Sequence, residues 1–220
     1  MPPSQNDIRA SLVENNRRKY AALQRKFNHA YTVDESTKDE MEVTYMMIES
    51  YLDRLVPVMV KKNVRSGCGC FRLKVLQAGC ADGILSEKIN FEDHGAALYG
   101  FDPSVENVEI AHSRGKYERL NVASLTEELP YASDCFDFVV SNGALGHISN
   151  FDAIYKLLRV VKSDGYILIN MKNYQFEDLG YENVLNRLTG KCRVVVQQPF
   201  STHPHPKFNH KYRFILIQKY

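Results

Sequence analysis

Two long amphipathic stretches open the chain. Ile8 to His29 is rich in Ala, Leu, Arg, Lys, Gln and Glu, which favour helix. Within it Tyr20, Leu23 and Phe27 fall at i, i+3 and i+7, on one face. Thr37 to Lys62 carries Met41, Tyr45, Ile48, Leu52, Leu55 and Val56 at helical spacing. Tyr31 to Lys38 predicts an irregular link between the two helices. The pattern changes at Arg65 to Phe71, where Ser66-Gly67-Cys68-Gly69-Cys70 marks a loop.

Beyond that loop, short apolar runs alternate with helical patterns. Strands are predicted at Leu73–Ala78, Ala96–Asp102, Tyr117–Val122, Phe136–Ser141 and Tyr166–Met171, the third being the most polar. Phe138-Val139-Val140 reads as a strand buried on both faces. Helices are predicted at Ile84–Phe91, Val105–Arg114 and Phe151–Val161, the last with Ile154, Leu157, Leu158 and Val161 on one side. This alternation implies an α/β fold with a mostly parallel, doubly wound sheet. The end of the chain differs: a helix at Tyr181–Leu188 precedes strands at Cys192–Gln198 and Tyr212–Gln218. Between those strands lies a polar loop with Pro199, Pro204 and Pro206. With no helix between them, these two strands must pair antiparallel or leave the pattern. The expected organisation is an N-terminal helical cap over 1–65 and one domain over 66–220, its sheet seven-stranded with an antiparallel C-terminal hairpin.

Composition narrows the function classes. The chain has 220 residues, enough for one full α/β domain. A net charge of +2 argues against a dedicated polyanion binder. Met1 to Ile8 is polar and lacks the apolar core of a secretory signal, and runs such as Leu55–Val60 are too short to span a bilayer. The expected compartment is the cytoplasm, with the nucleus as an alternative, and no membrane partner is expected. Of the five cysteines, Cys68 and Cys70 form a C-x-C without a second pair at zinc-ligand spacing. Reduced, mostly buried thiols are the simpler reading.

The informative stretch is Gln77-Ala78-Gly79-Cys80-Ala81-Asp82-Gly83, between the first strand and its helix. Glycines let the backbone turn sharply and approach a ligand, and a helix N-terminus behind them suits a carboxylate. Asp102 ends the second strand 19 residues after Gly83. A carboxylate there either accepts both hydrogen bonds of a ribose diol, caps the helix from Val105, or does both. A dinucleotide fingerprint needs glycine at 79, 81 and 84; Ala81 and Ile84 break it.

Gly79-Cys80-Ala81-Asp82-Gly83 resembles the G-C-G-x-G motif of class I S-adenosylmethionine-dependent methyltransferases. Gly100-Phe101-Asp102-Pro103-Ser104 resembles their G-x-D-x-S strand end. Leu129-Pro130-Tyr131 with Phe136-Asp137-Phe138-Val139, and Val161-Lys162-Ser163-Asp164-Gly165, match two further segments in order and spacing. Within that superfamily, Tyr117-Glu118-Arg119-Leu120 and Ser141-Asn142-Gly143-Ala144-Leu145 look most like the methyltransferase-like proteins named after the Williams–Beuren region, which carry a type 11-like domain. In that group an N-terminal Y-x-x-W-x-x-x-Y helix closes over the cofactor. Tyr20, Leu23 and Phe27 have its spacing, with Leu23 in the tryptophan position; a plain packing face is the alternative.

The resemblance implies a Rossmann-like class I methyltransferase fold and S-adenosylmethionine as cofactor, held by Gln77, Gly79, Cys80, Ala81, Gly83, Asp102, Pro103, Val122, Ala123 and Asn142. Three departures stand out. Gln77 occupies a usually acidic position, Ala81 replaces a glycine, and no acidic residue lies at Val122–Ser124 for the adenine amine, leaving that contact to the backbone.

Methyl transfer needs alignment and exclusion of water more than acid–base groups. The acceptor is expected beyond the fourth strand, near Ser141, Asn142, Gly143 and His147, with His147 as the candidate base; the alternative is an ordinary loop histidine. Asn142 belongs to no D/N-P-P-Y motif. His203, His205 and His210 lack supporting carboxylates, so no metal is expected. Arg17-Arg18-Lys19 with Arg25-Lys26 reads as a solvated face, the alternative being contact with RNA. The expected activity is methyl transfer to a small-molecule acceptor. The alternatives are a catalytically silent cofactor-binding module acting through a partner, and an RNA or protein methyltransferase.

Overall fold

A computed structural model describes residues 35–65, 72–148, 152–201 and 211–220. The expected helix Ile8–His29, the basic runs at 17–19 and 25–26, Cys68, Cys70 and the three histidines of the 202–210 loop lie outside the described residues.

Helix α1 spans Glu35–Arg65, three residues longer at its C-terminal end than the apolar spacing implies, and contains Pro57. Seven strands follow: β1 (Leu73–Ala78), β2 (Ala96–Asp102), β3 (Arg119–Val122), β4 (Phe136–Asn142), β5 (Val161–Lys172), β6 (Cys192–Ser201) and β7 (Lys211–Lys219). Between them lie α2 (Leu85–Lys88), α3 (Val105–Ser113), a 3-10 turn (Ala144–His147), α4 (Asp152–Val160), α5 (Asn173–Asp178) and α6 (Tyr181–Arg187).

The strands form one sheet in the order β3-β2-β1-β4-β5-β7-β6. The first five are mutually parallel, and β7 lies antiparallel between β5 and β6. The chain order therefore steps outward from β1 in both directions, and ligands in such sheets bind at the carboxyl ends beside that reversal. The polar third strand is an edge, which explains its composition. β4 is central and six of its seven residues are buried, as its apolar run implies.

Two apolar layers cover the sheet. On one face Tyr45, Ile48, Leu52 and Met59 of α1 pack with Val75, Leu98, Val140 and Leu168. Burying each such aliphatic side chain contributes about 1.5–3 kcal/mol. On the other face Leu157 of α4, Phe176 of α5 and Tyr181 of α6 pack with Leu76, Val139 and Ile169. Asp137 interrupts the apolar run of β4 and is only 4% exposed. It accepts hydrogen bonds from Lys74 N (2.9 Å), Asn63 Nδ2 (3.1 Å) and Lys162 Nζ (2.8 Å), fastening β1, α1 and the start of β5 together.

Some boundaries differ from the periodicity. The helix expected over Ile84–Phe91 is one turn, because Ile89 turns extended (φ −122°) and residues 91–95 form a turn ending in Gly95 at φ +63°. β5 begins five residues before Tyr166: Val161 pairs with Phe136 and Tyr166 with Phe138, so Lys162 to Gly165 bulge opposite Asp137. Helix α5 shows no apolar period in the sequence; Gln175 secures its start by accepting from Lys172 N at 3.1 Å. No described helix is long and apolar enough to cross a membrane.

Candidate cofactor and acceptor site

The carboxyl end of β1 leads into a loop with three left-handed residues, Gly79 (φ +74°), Ala81 (φ +48°) and Gly83 (φ +80°). Two of these positions require glycine for space as well. A Cβ on Gly83 would stand 2.8 Å from the Ala111 Cβ of α3, and one on Gly79 would stand 2.5 Å from the Ala144 Cβ. The second approach presses the 3-10 turn after β4 against the loop after β1, joining the two halves of the site. Gly79 N and Cys80 N donate to Phe101 O at 3.0 and 2.9 Å, which ties the loop to β2. Cys80 is 1% exposed, so it offers the site its backbone alone, and burial pushes its thiol pKa up.

Asp102 is 3% exposed beneath this loop. Its Oδ2 accepts from Ala81 N at 2.9 Å, and its Oδ1 accepts from Ser104 N at 3.0 Å and Asn107 Nδ2 at 3.1 Å. A carboxylate has about four acceptor positions, so one on Oδ2 is left for a ligand rather than two. Helix α3 is capped by Ser104, whose Oγ accepts from Asn107 N at 3.2 Å; Asp102 supports the cap instead of forming it. Burial raises the pKa of Asp102, and the hydrogen bonds from Ser104, Asn107 and Ala81 work against that rise.

The helix behind the loop differs from expectation in a way that bears on anions. It has four residues, too few for a macrodipole of consequence. The amide of Ile84 is already taken by Asp82 Oδ1 at 3.2 Å. A negative side chain thus occupies the place where an incoming carboxylate was expected. Arg114, at the C-cap of α3, reaches back across this point. Its Nε donates to Asp82 O at 2.6 Å, one terminal nitrogen meets Asp82 Oδ2 at 3.0 Å, and the other meets Glu87 Oε1 at 2.5 Å.

Gln77 is 4% exposed at the end of β1 and accepts from Tyr117 Oη at 2.5 Å. The ring of Tyr117 lies against Gly100, where no side chain intervenes, and burial raises its phenol pKa. Pro103 and Ala123 flank Asp102, and Ala123 N donates to Asp102 O at 3.1 Å. Val122 is 38% exposed at the rim.

At the ends of β4 and β5, Asn170 Nδ2 donates to Asn142 Oδ1 at 2.7 Å. Asn170 is 1% exposed and its Oδ1 has no hydrogen-bond partner; the buried Ser141 Oγ has none either. No motif marks Asn170; its signal in the sequence is a lone polar residue inside Ile167-Leu168-Ile169-Asn170-Met171. His147 closes the 3-10 turn and is exposed. Partial burial of its ring, and then the charge of Lys172, lower its pKa, so it is neutral near pH 7.

Asp102 offers an acceptor position that fits a ribose hydroxyl, whereas the start of α2 offers no free amide at Ile84 for a carboxylate. Asp102 Oδ2 meets the turn of left-handed residues at Ala81 N, and unpaired buried polar atoms lie two strands away at Ser141 and three away at Asn170. Among the described residues no group of three or more His, Cys, Asp and Glu is placed to hold a metal. A cavity of about 400 Å³ lies elsewhere, lined by Tyr155, Arg159, Lys191 and Lys219; Glu128 and Asp134 already pair with two of its cations.

Comparison with known proteins bears on the fold and the family of the central segment. Residues 76–169 match the family described as "Methyltransferase domain". The ubiquinone biosynthesis O-methyltransferase of Vibrio campbellii is 30% identical over 167 residues, 71% of this chain and 66% of that protein. The mitochondrial enzyme of the same name from Rattus norvegicus is 30% identical over 109 residues, 46% of this chain and 31% of that protein. The chain thus spans from about a third to just under two thirds of these relatives' lengths. In fold it is similar to magnesium protoporphyrin IX methyltransferase of Synechocystis, with TM-score 0.55, 19% identity and coverage of 86% of this chain and 85% of that one. A putative S-adenosylmethionine-dependent methyltransferase of Listeria monocytogenes gives TM-score 0.55 at 15% identity, covering 74% of this chain and 97% of that one. Residues 76–169 are therefore similar to a methyltransferase domain, set in a seven-stranded Rossmann-like sheet.

Proposed function

We propose that the whole chain is an S-adenosylmethionine-dependent methyltransferase acting on a hydroxyl of a small-molecule acceptor in the cytoplasm. The observation that carries this reading is the convergence of Gly79–Gly83, Asp102 and the Asn142–His147 segment at the carboxyl ends of adjacent strands. The hydroxyl is suggested by the O-methyltransferase names of the relatives. Gln77, Gly79, Cys80, Ala81, Gly83, Asp102, Pro103, Val122 and Ala123 form the cofactor side, with Asn142 at its border with the acceptor. The division into a cap over 1–65 and a domain over 66–220 belongs to this proposal, as does nearness to the Williams–Beuren group. The burial of α1 on the sheet supports a cap fixed to the domain.

When bound, S-adenosylmethionine supplies an electrophilic methyl group for in-line displacement. Asp102 holds the loop at Ala81 N and keeps one acceptor position for a ribose hydroxyl. Asn142 Oδ1 accepts from Asn170 Nδ2, and the Nδ2 of Asn142 is the donor in this reading for an acceptor oxygen. His147, neutral near pH 7, takes the acceptor's proton at a ring nitrogen.

A second reading, a binding module without turnover, is favoured by the uncharged Gln77 and by the heavy commitment of Asp102 to the protein's own amides. Titration calorimetry with S-adenosylhomocysteine, followed by labelled methyl transfer to a panel of phenols, catechols and aliphatic alcohols, separates the two. Binding with turnover is the expected result. Absence of binding overturns both readings, and binding with no turnover on any acceptor leaves the module.

A further inference from the structure

We infer that Gln175 is a positioning residue for His147: its carboxamide, held between the end of β5 and the turn after β4, fixes where the imidazole stands. The placement is read from the packing alone. Its consequence for turnover rests on the reading of His147 as the base.

The 3-10 turn Ala144–His147 is clasped residue by residue. Gly143 N, just before it, donates to Asn170 O at 2.8 Å. Ala144 presses on Gly79, and Leu145 O accepts from Tyr181 Oη at 3.3 Å. Gly146, next to His147, is met by Gln175. A Cβ on Gly146 would stand 2.7 Å from Gln175 Cδ and nearer still to its Oε1, so the carboxamide fills the space of the missing side chain. The backbone at Gly146 lies outside the left-handed region, so what excludes a side chain there is Gln175. The same Oε1 accepts from Lys172 N at 3.1 Å, and Gln175 is 8% exposed. One buried atom thus bridges the end of β5 to the backbone beside His147. Side chains locked by packing and a hydrogen bond in this way hold a reacting group in place. Capping α5 explains the bond to Lys172 but not the contact with Gly146. Helix α5 is also held by Phe176 in the core and by Arg213 Nε, 2.9 Å from Asn173 Oδ1. Lys172 stands at the far end of the bridge, and its charge is the second cause, after burial, of the lowered His147 pKa. The acids on the neighbouring elements are Asp152 at the start of α4 and Glu177 and Asp178 at the end of α5. The ring answers to Lys172 rather than to these.

The test titrates the full chain by NMR, following the His147 ring proton, which is identified by its loss in His147→Asn. In Gln175→Ala the turn is released, so the midpoint should rise toward the ordinary 6.5 as the ring leaves Lys172 and gains solvent. Gly146→Ala pushes the carboxamide off Lys172 N and should do the same with Gln175 still in the chain. The double variant should match Gln175→Ala, because the added methyl then meets no carboxamide. With the acceptor that turns over fastest in the phenol, catechol and alcohol panel, kcat should fall about tenfold and KM stay within about twofold. An unmoved midpoint in Gln175→Ala overturns the inference and leaves Gln175 a helix cap. Additive effects in the double variant overturn it too. If Gln175→Ala does not fold, Gln175→Glu carries the test. It keeps an acceptor for Lys172 N and brings a carboxylate toward the ring, so the midpoint should rise, and an unmoved one overturns the inference. Moved midpoints with unchanged turnover, or wild type without turnover, uphold the placement and overturn the reading of His147 as the base, provided the double variant matches Gln175→Ala.

Discussion

Asp102 shows how one side chain serves structure and ligand together. Every neighbour that meets its carboxylate is a donor: Ala81 N, Ser104 N and Asn107 Nδ2. Asp102→Asn must turn an NH2 toward one of them. The expected result is a loss of roughly 1–3 kcal/mol in denaturant unfolding, with S-adenosylhomocysteine binding abolished. A variant of wild-type affinity would remove Asp102 from the site. His147 makes a prediction with a sign. Its pKa is lowered below 6.5, so the neutral base persists to lower pH, and turnover should fall only as the medium is acidified past a midpoint under 6.5. His147→Asn should flatten that acid limb; an unchanged pH profile would leave His147 an ordinary loop residue. At this scale sequence spacing placed Gly79, Gly83 and Asp102 correctly at strand ends. Arg114 and Asn170 escaped it, because their significance lies in contacts to Asp82 and Asn142, 32 and 28 positions away.

Among the elements, α1 carries the clearest expectation. Leu52 is fully buried against the sheet while Met46, six residues away, is 67% exposed. Leu52→Ala should cost about 2–5 kcal/mol in thermal or denaturant unfolding, and Met46→Ala close to nothing. Equal effects would mean that the helix is not seated as described. The strands were the most legible elements, since β1 and β2 begin and end where the apolar runs do. The helices were less so. α2 ends early because Gly95 and its turn take over the chain, and α5 forms because Gln175 caps its own start, neither of which is an apolar period.

At the scale of the whole molecule, β7 is the keystone of the C-terminal half. It pairs with β5 over seven positions and with β6 over nine. A chain ending at residue 201 leaves the long β5 and β6 with open edges, so it should aggregate or stay unfolded, read by circular dichroism and gel filtration. A monomeric, folded product would show that the first five strands suffice. The order of apolar runs and breakers by itself determined an alternating α/β chain, the antiparallel pairing of its last two strands and the place of the glycine loop. Burial and turn chemistry are local properties, and the sequence carries them directly. Only the tertiary structure decided that β7 lies between β5 and β6, that Asp82 fills the start of α2, and that Arg114 offsets it. Those outcomes depend on which distant groups packing brings within a few ångströms, a distance that spacing along the chain does not encode.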